Sequence, residues 1–143
     1  WDIVGASLSK HGKYLVLIGG QVAHVEESLA RGRETGADAV LDVAIESIGY
    51  ATEHPMFSPH WRPSSQVRVA LVDQRTGERV YVEKFMYGYH NPLMSGTDIE
   101  APETYHFKGK DMLFADEARL LDGLDHSIEA VVSEISRALA KES

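Results

Sequence analysis

The 143-residue chain has no cysteine. That excludes disulfides, thiol catalysis and cysteine-ligated zinc within it, and is neutral about redox compartment. No apolar run is long enough to cross a bilayer. Cations are few: 14 Lys and Arg stand against 22 Asp and Glu, for a formal charge of -8, and they are scattered without a basic stripe. Phosphate neutralisation needs clustered Lys and Arg, so no nucleic-acid partner is expected. A negative surface also resists anionic membrane. Internal repeats, low-complexity tracts and linkers are missing, and no catalytic motif stands above background. Gly19-Gly20 follows an apolar run but lacks the full dinucleotide or phosphate-loop spacing, so it reads as a tight turn. Ser9, Ser47 and Ser58 have no nucleophile-elbow context. The expectation is a non-enzymatic chain without a cofactor.

The remaining composition, 43% hydrophobic and 25% charged, describes a globular chain with a real core. Its length fits one domain over residues 1–143. The chain opens on Trp1, which implies an upstream piece and leaves a lipid anchor there open.

Trp1 to Gly12 reads as an extended lead-in. Tyr14 to Ile18 is a short apolar run closed by glycines, the pattern of a buried strand. Gln21 to Thr35 reads as a helix with Val22, Val25 and Leu29 on one face, and Gly36 stands where a left-handed cap is needed. From Ala39 to Tyr50 the pattern alternates: Leu41, Val43 and Ile45 face one side, Asp42, Ala44 and Glu46 the other. If that second face is open, Asp42 and Glu46 are simply solvated. Val67, Val69 and Leu71 repeat the alternation, Arg75-Thr76-Gly77-Glu78 supplies a turn, and a return strand runs to Tyr87 with Tyr81, Phe85 and Tyr87 on one face. Asp116 to Leu121 reads as a short helix. Asp122 or Asp125 then caps a second, whose stripe is Leu124, Ile128, Val131, Ile135 and Leu139. The order gives an α+β fold: an antiparallel β-meander sheet with two main helices packed on one face.

The passage through Gly36-Ala37-Asp38, the Asp73-Gln74-Arg75-Thr76-Gly77-Glu78 hairpin and the C-terminal amphipathic helix resemble the periplasmic α/β domain of bacterial envelope lipoproteins. The curli-secretion lipoprotein and the N-terminal domain of the Tol-system propeller protein share that broad shape. The resemblance spans most of Gln21 to Leu139. It implies a cell-envelope domain, periplasmic or associated with the outer membrane, that acts as an assembly, adaptor or protein-binding module. Its motifs are turn geometry and carry no catalytic residue. The long amphipathic hairpins of channel-forming members are absent, which removes pore formation from the expectation.

In a meander, the connection from Ala51 to Ser65 and the segment from Gly88 onward leave the same end of the sheet. Two long loops then lie side by side, carrying His54, Met56, Phe57, His60, Trp61, Tyr89, His90, Met94 and His106. On one reading Phe57, Trp61 and Tyr89 anchor a protein partner or a second copy, with an exposed sheet edge as a second route that accepts a strand from either. The alternative is a metal-binding protein or small metal-dependent hydrolase with His54, His60 and His90 as ligands, helped by Glu53. Imidazole suits zinc, copper or nickel, although the His54-to-His60 spacing fits no standard zinc pattern. A third reading makes these residues structural, with the aromatics folded over the sheet end. His11, His24 and His126 read as surface residues.

Overall fold

The computed structural model describes residues 14–19 (backbone only), 30, 32–52, 60–88 and 92–141. It contains a five-stranded sheet in the order β1 (Tyr14–Gly19), β2 (Ala39–Ala51), β3 (Arg62–Asp73), β4 (Arg79–Tyr87) and β5 (Thr97–Ile99). A 3-10 turn (Glu103–Tyr105) leads into two helices, α1 (Lys110–Ala115) and α2 (Glu117–Lys141). The α+β class and the antiparallel β2-β3-β4 meander agree with the sequence reading. Both outer strands are parallel to their neighbours, β1 to β2 and β5 to β4. A parallel neighbour needs a crossover connection, and residues 32–35, at the end of the one between β1 and β2, are helical.

Strict alternation gives the sheet two buried faces. On the first, Leu41, Val43, Val67, Val69, Phe85 and Tyr87 pack against Val131, Ile135 and Leu139 of α2. On the second, Val40, Ala44, Ala70, Val72 and Met86 are equally buried. A Cβ placed on Gly32 would lie 2.6 Å from Val40 Cγ2, so the helical turn 32–35 sits on this second face. Helical segments therefore flank the sheet on both sides rather than one. The cause is legible in Val40 and Ala44, whose apolar side chains need a cover that α2 cannot supply. The rest of the Gln21–Thr35 helix, and the Trp1–Gly12 lead-in, lie outside the described residues.

Asp42 sits on that second face and is only 6% exposed, not solvated as its polar neighbours suggest. Burial pushes its carboxyl above the usual aspartate range, and Arg68 and Arg79 pull it part of the way back. A carboxyl raised by folding binds its proton more tightly in the native state. Stability is then fully present below the unfolded value of about 4 and is lost as pH rises through the folded value. Asp42→Asn is therefore expected to melt higher than the natural chain at pH 7, with the gap closing towards pH 4. Thermal melts at both pH values check this. A gap that does not change with pH would mean that Arg68 and Arg79 fully compensate the carboxylate.

The β3-β4 hairpin closes as its residues dictate. Asp73 Oδ1 accepts from the backbone N–H of Arg75 at 2.8 Å and of Thr76 at 2.9 Å, and Gly77 takes φ 73°. The two amides hold the Asp73 carboxyl below its usual range.

The C-terminal region differs from its expected division. Asp116 Oδ1 accepts from Arg119 N at 3.1 Å and caps a single helix that runs unbroken to Lys141. Asp122 and Asp125 are exposed residues inside it, not caps. Val131, Ile135 and Leu139 form the expected stripe, but near the N-terminus Gly123 and Ser127 are buried in place of Leu124 and Ile128. Small residues are required there: a Cβ on Gly123 would stand 2.2 Å from Tyr50 Oη.

Candidate functional site

The sheet end where β2 and β3 part is a packed aromatic layer. Trp61 and Phe107 exchange two backbone hydrogen bonds of 2.8 Å, which fastens the segment before α1 to the start of β3. Phe107 is buried, meets Tyr50 edge-on at 5.6 Å, and lies under the Arg119 guanidinium at 3.9 Å. Arg119 Nη2 donates to His106 O at 2.6 Å. Lys110 Nζ stands 5.2 Å from the Trp61 ring centre. Tyr50 Oη donates to Leu120 O at 2.9 Å, and Tyr87 Oη and His126 Nδ1 share a 2.7 Å hydrogen bond. Burial pushes both phenols up to about 12, so they keep their protons. Tyr105 lies against the His126 ring at 5.2 Å. These contacts lock the first turns of α2 onto β2 and β4.

The two exits do lie side by side, as the meander requires: Ala51 pairs with Arg62, Ser65 with Tyr87, and Gly88 abuts the Pro63 carbonyl. Trp61 is half-buried with its backbone paired on Phe107. His60 is exposed. Phe57, Tyr89, His54, His90, Met56 and Glu53 lie outside the described residues. His106 belongs to this layer, with Nε2 3.1 Å from Ala101 O. His126, read from sequence as a surface residue, is half-buried and bonded to Tyr87. That pairing joins residues 39 positions apart, and local pattern cannot show it. Met94 is elsewhere, beside the middle of β4.

That middle stretch is a second surface, and local pattern gave it no prominence. β5 pairs only with Phe85, Met86 and Tyr87, so among the described residues no strand lies on the side of β4 away from β3 between Arg79 and Glu83. The direction of the backbone groups follows from three contacts. Gly88 N donates to Ile99 O at 2.8 Å, Lys84 N donates to Glu83 Oε1 at 3.0 Å, and the Lys84 carbonyl faces Gly96. Even-numbered residues of β4 therefore aim their N–H and C=O away from β3. Alternation carries this back to Val82, whose amide and carbonyl point to the open side.

The side chains there are apolar and accessible: Val80 is 59% exposed, Val82 51% and Leu93 93%. Between the strand and the turn before β5 lies a groove of about 400 Å³, lined by Arg68, Val82, Glu83 and Lys84 on one side and Leu93, Met94 and Ser95 on the other. Glu46 bridges two of the lining residues, Arg68 and Lys84. The register shift between Ile45 and Ser47 falls at Glu46 itself.

No protein-family model and no curated protein matches the chain. Among solved structures, a candidate lipoprotein from Caulobacter crescentus CB15 superposes over 96% of this chain and 93% of its own, at 13% identity and a TM-score of 0.51. Partial matches are lipoprotein GNA1162 from Neisseria meningitidis, over 46% of this chain and 45% of its own at 17% identity and TM-score 0.30, and the PelC dodecamer from Paraburkholderia phytofirmans, over 57% and 51% at 23% and 0.33. Those two scores are too low to define a shared fold. The first match establishes a lipoprotein-like fold along nearly the whole chain. It lends no support to the curli-secretion or Tol-propeller families in particular.

Proposed function

We propose that this chain is a non-enzymatic domain of the bacterial cell envelope that binds a protein partner, and that it does so at the open edge of β4. The envelope setting is supported by the shared fold with the Caulobacter protein. The binding role rests on one observation: Val82 turns both backbone groups outward on a strand that has no strand on that side among the described residues, beside exposed Val80 and an apolar-lipped groove. An unpaired edge is a template for strand addition, in which main-chain hydrogen bonds supply affinity and side-chain pockets supply selectivity. The aromatic layer contributes rigidity, because it fixes α2 against the strands that carry the edge.

Site-specific photocrosslinking in the native host tests this reading. A benzophenone side chain at position 82 is expected to give a discrete adduct with an envelope protein, and one at exposed Glu129 on α2 is not. Equal adduct patterns from the two positions, or none from position 82, would remove the β4 edge as the binding site.

A further inference from the structure

We infer that the chain carries its own cover for the β4 edge: residues 94–96 form a strap that zips onto Lys84 and Val82 as an N-terminal extension of β5, and the structure holds this strap open. The inference rests on the binding role proposed above and names how that site is regulated.

The register of β5 sets where the strap lands. β5 runs parallel to β4, with Thr97 opposite Phe85, Asp98 opposite Met86 and Ile99 opposite Tyr87. Continued towards the N-terminus, the same register puts Gly96 at Lys84, Ser95 at Glu83 and Met94 at Val82. The first step is already made, since a Cβ on Gly96 would lie 2.5 Å from the Lys84 carbonyl oxygen. The pairing then stops. Ser95 and Met94 stand across the groove of about 400 Å³ from Val82, Glu83 and Lys84.

The backbone groups that closure needs are in place on β4. Gly88 N donates to Ile99 O, so an even-numbered residue of β4 donates to the residue just before its own register position on the parallel neighbour. By the same rule, in the closed form Lys84 N donates to Ser95 O, and Ser95 N donates to the outward carbonyl of Val82. In the open form Glu83 Oε1 takes the Lys84 N–H instead, at 3.0 Å. The Glu83 carboxylate thus stands in for the Ser95 carbonyl and is the catch that keeps the strap off the edge. Closing breaks that one charge-assisted hydrogen bond and makes two with Ser95. It also lays Met94 beside Val82, which is 51% exposed, and removes apolar surface from water. Strap and partner strand then compete for the same carbonyl, with the open form as the resting state.

A disulfide can trap the closed form without interference, because the chain has no cysteine of its own. Register partners on adjacent strands lie about 4.8 Å apart, within disulfide reach. The full chain carrying Val82→Cys and Met94→Cys is oxidised with glutathione disulfide beside a chain carrying Val82→Cys and Leu93→Cys. Leu93 lines the same groove and is 93% exposed, so an open strap gives it no disadvantage, whereas closure turns it to the other face of the sheet. The 82–94 disulfide is expected to form at least about tenfold faster than the 82–93 disulfide. Glu83→Ala is expected to speed the 82–94 reaction at least about threefold, and Glu83→Gln, which keeps an acceptor, to change it little. Equal rates for the two pairs, or no effect of Glu83→Ala, would overturn the inference. The regulatory part is read with a benzophenone side chain at position 80 in the native host. Its adduct is expected from the reduced 82–94 chain and not from the oxidised one, and an adduct that survives oxidation would overturn the gating. No adduct from either form would remove the β4 edge as the binding site, while the oxidation rates still decide whether the strap closes.

Discussion

Gly88→Ala is expected to destabilise the chain by about 4 kcal/mol, near the upper end for a single substitution. Gly88 has φ 77°, which costs an L-residue about 1–2 kcal/mol alone. A Cβ there would also lie 1.9 Å from the carbonyl oxygen of Pro63, and backbone cannot swing aside as a flexible side chain can. Any shift that relieves the clash breaks the 2.8 Å bond from Gly88 N to Ile99 O, which begins the docking of β5. Gly36 is the natural control. Its φ is 66°, with nothing within 4 Å of the added Cβ, so Gly36→Ala should cost only about 1 kcal/mol. Urea denaturation of both variants checks the pair: the midpoints should separate by the difference while the slope stays the same. Equal losses would show that conformation alone, without the Pro63 contact, sets the cost.

Phe85→Ala is expected to cost about 3–5 kcal/mol, because it removes most of a buried aromatic side chain and leaves a cavity. Phe85 is fully buried at the centre of the first face, paired with Val67 and packed in the cluster that α2 completes. In a chain of this size the melting temperature should fall by roughly 10–15 °C. Phe85→Leu should recover a large part of the loss by refilling volume. A fall of only a few degrees for the alanine variant would mean that α2 is not held down by this face. The locked helix proposed as the edge's rigid backing would then lose its basis.

The elements that sequence made legible are those whose periodicity is complete within the segment. Leu41, Val43 and Ile45 set β2, Val67 to Leu71 set the second half of β3, and Val131, Ile135 and Leu139 set the outer part of α2. The start of β3 was not legible. Arg62-Pro63-Ser64-Ser65-Gln66 has no apolar alternation, and becomes strand because 47–51 pairs along it and Pro63 and Ser65 are buried. Three-residue β5 is too short to carry a period, and the parallel pairing of β1 is a property of two distant segments. Asp122 and Asp125 looked like caps because their residue type suits the role; Asp116 takes it since Gly109 and Lys110 have already begun a separate helix.

The candidate site was hidden for the same reason. Val80 and Val82 carry no local mark of exposure. Their openness is created by β5 stopping opposite Phe85 and by the turn at 93–95 folding beside the groove, both set far from β4 in sequence. Topology puts the exits of the two long connections side by side, and Ala51, Arg62, Ser65, Tyr87 and Gly88 do meet at one sheet end, while Met94 lies elsewhere. The one described anchor of that end, Trp61, is bound into the aromatic layer by Phe107 and Lys110.

The central claim is that Val82 presents its backbone to a partner. Native-state amide hydrogen exchange reads this directly. In the free chain fast exchange is expected at Val82 N–H, which points away from β3, beside the slow amide of Glu83, which faces it. Slow exchange at Val82 in the free monomer would contradict the account, because the edge would already be paired within the chain.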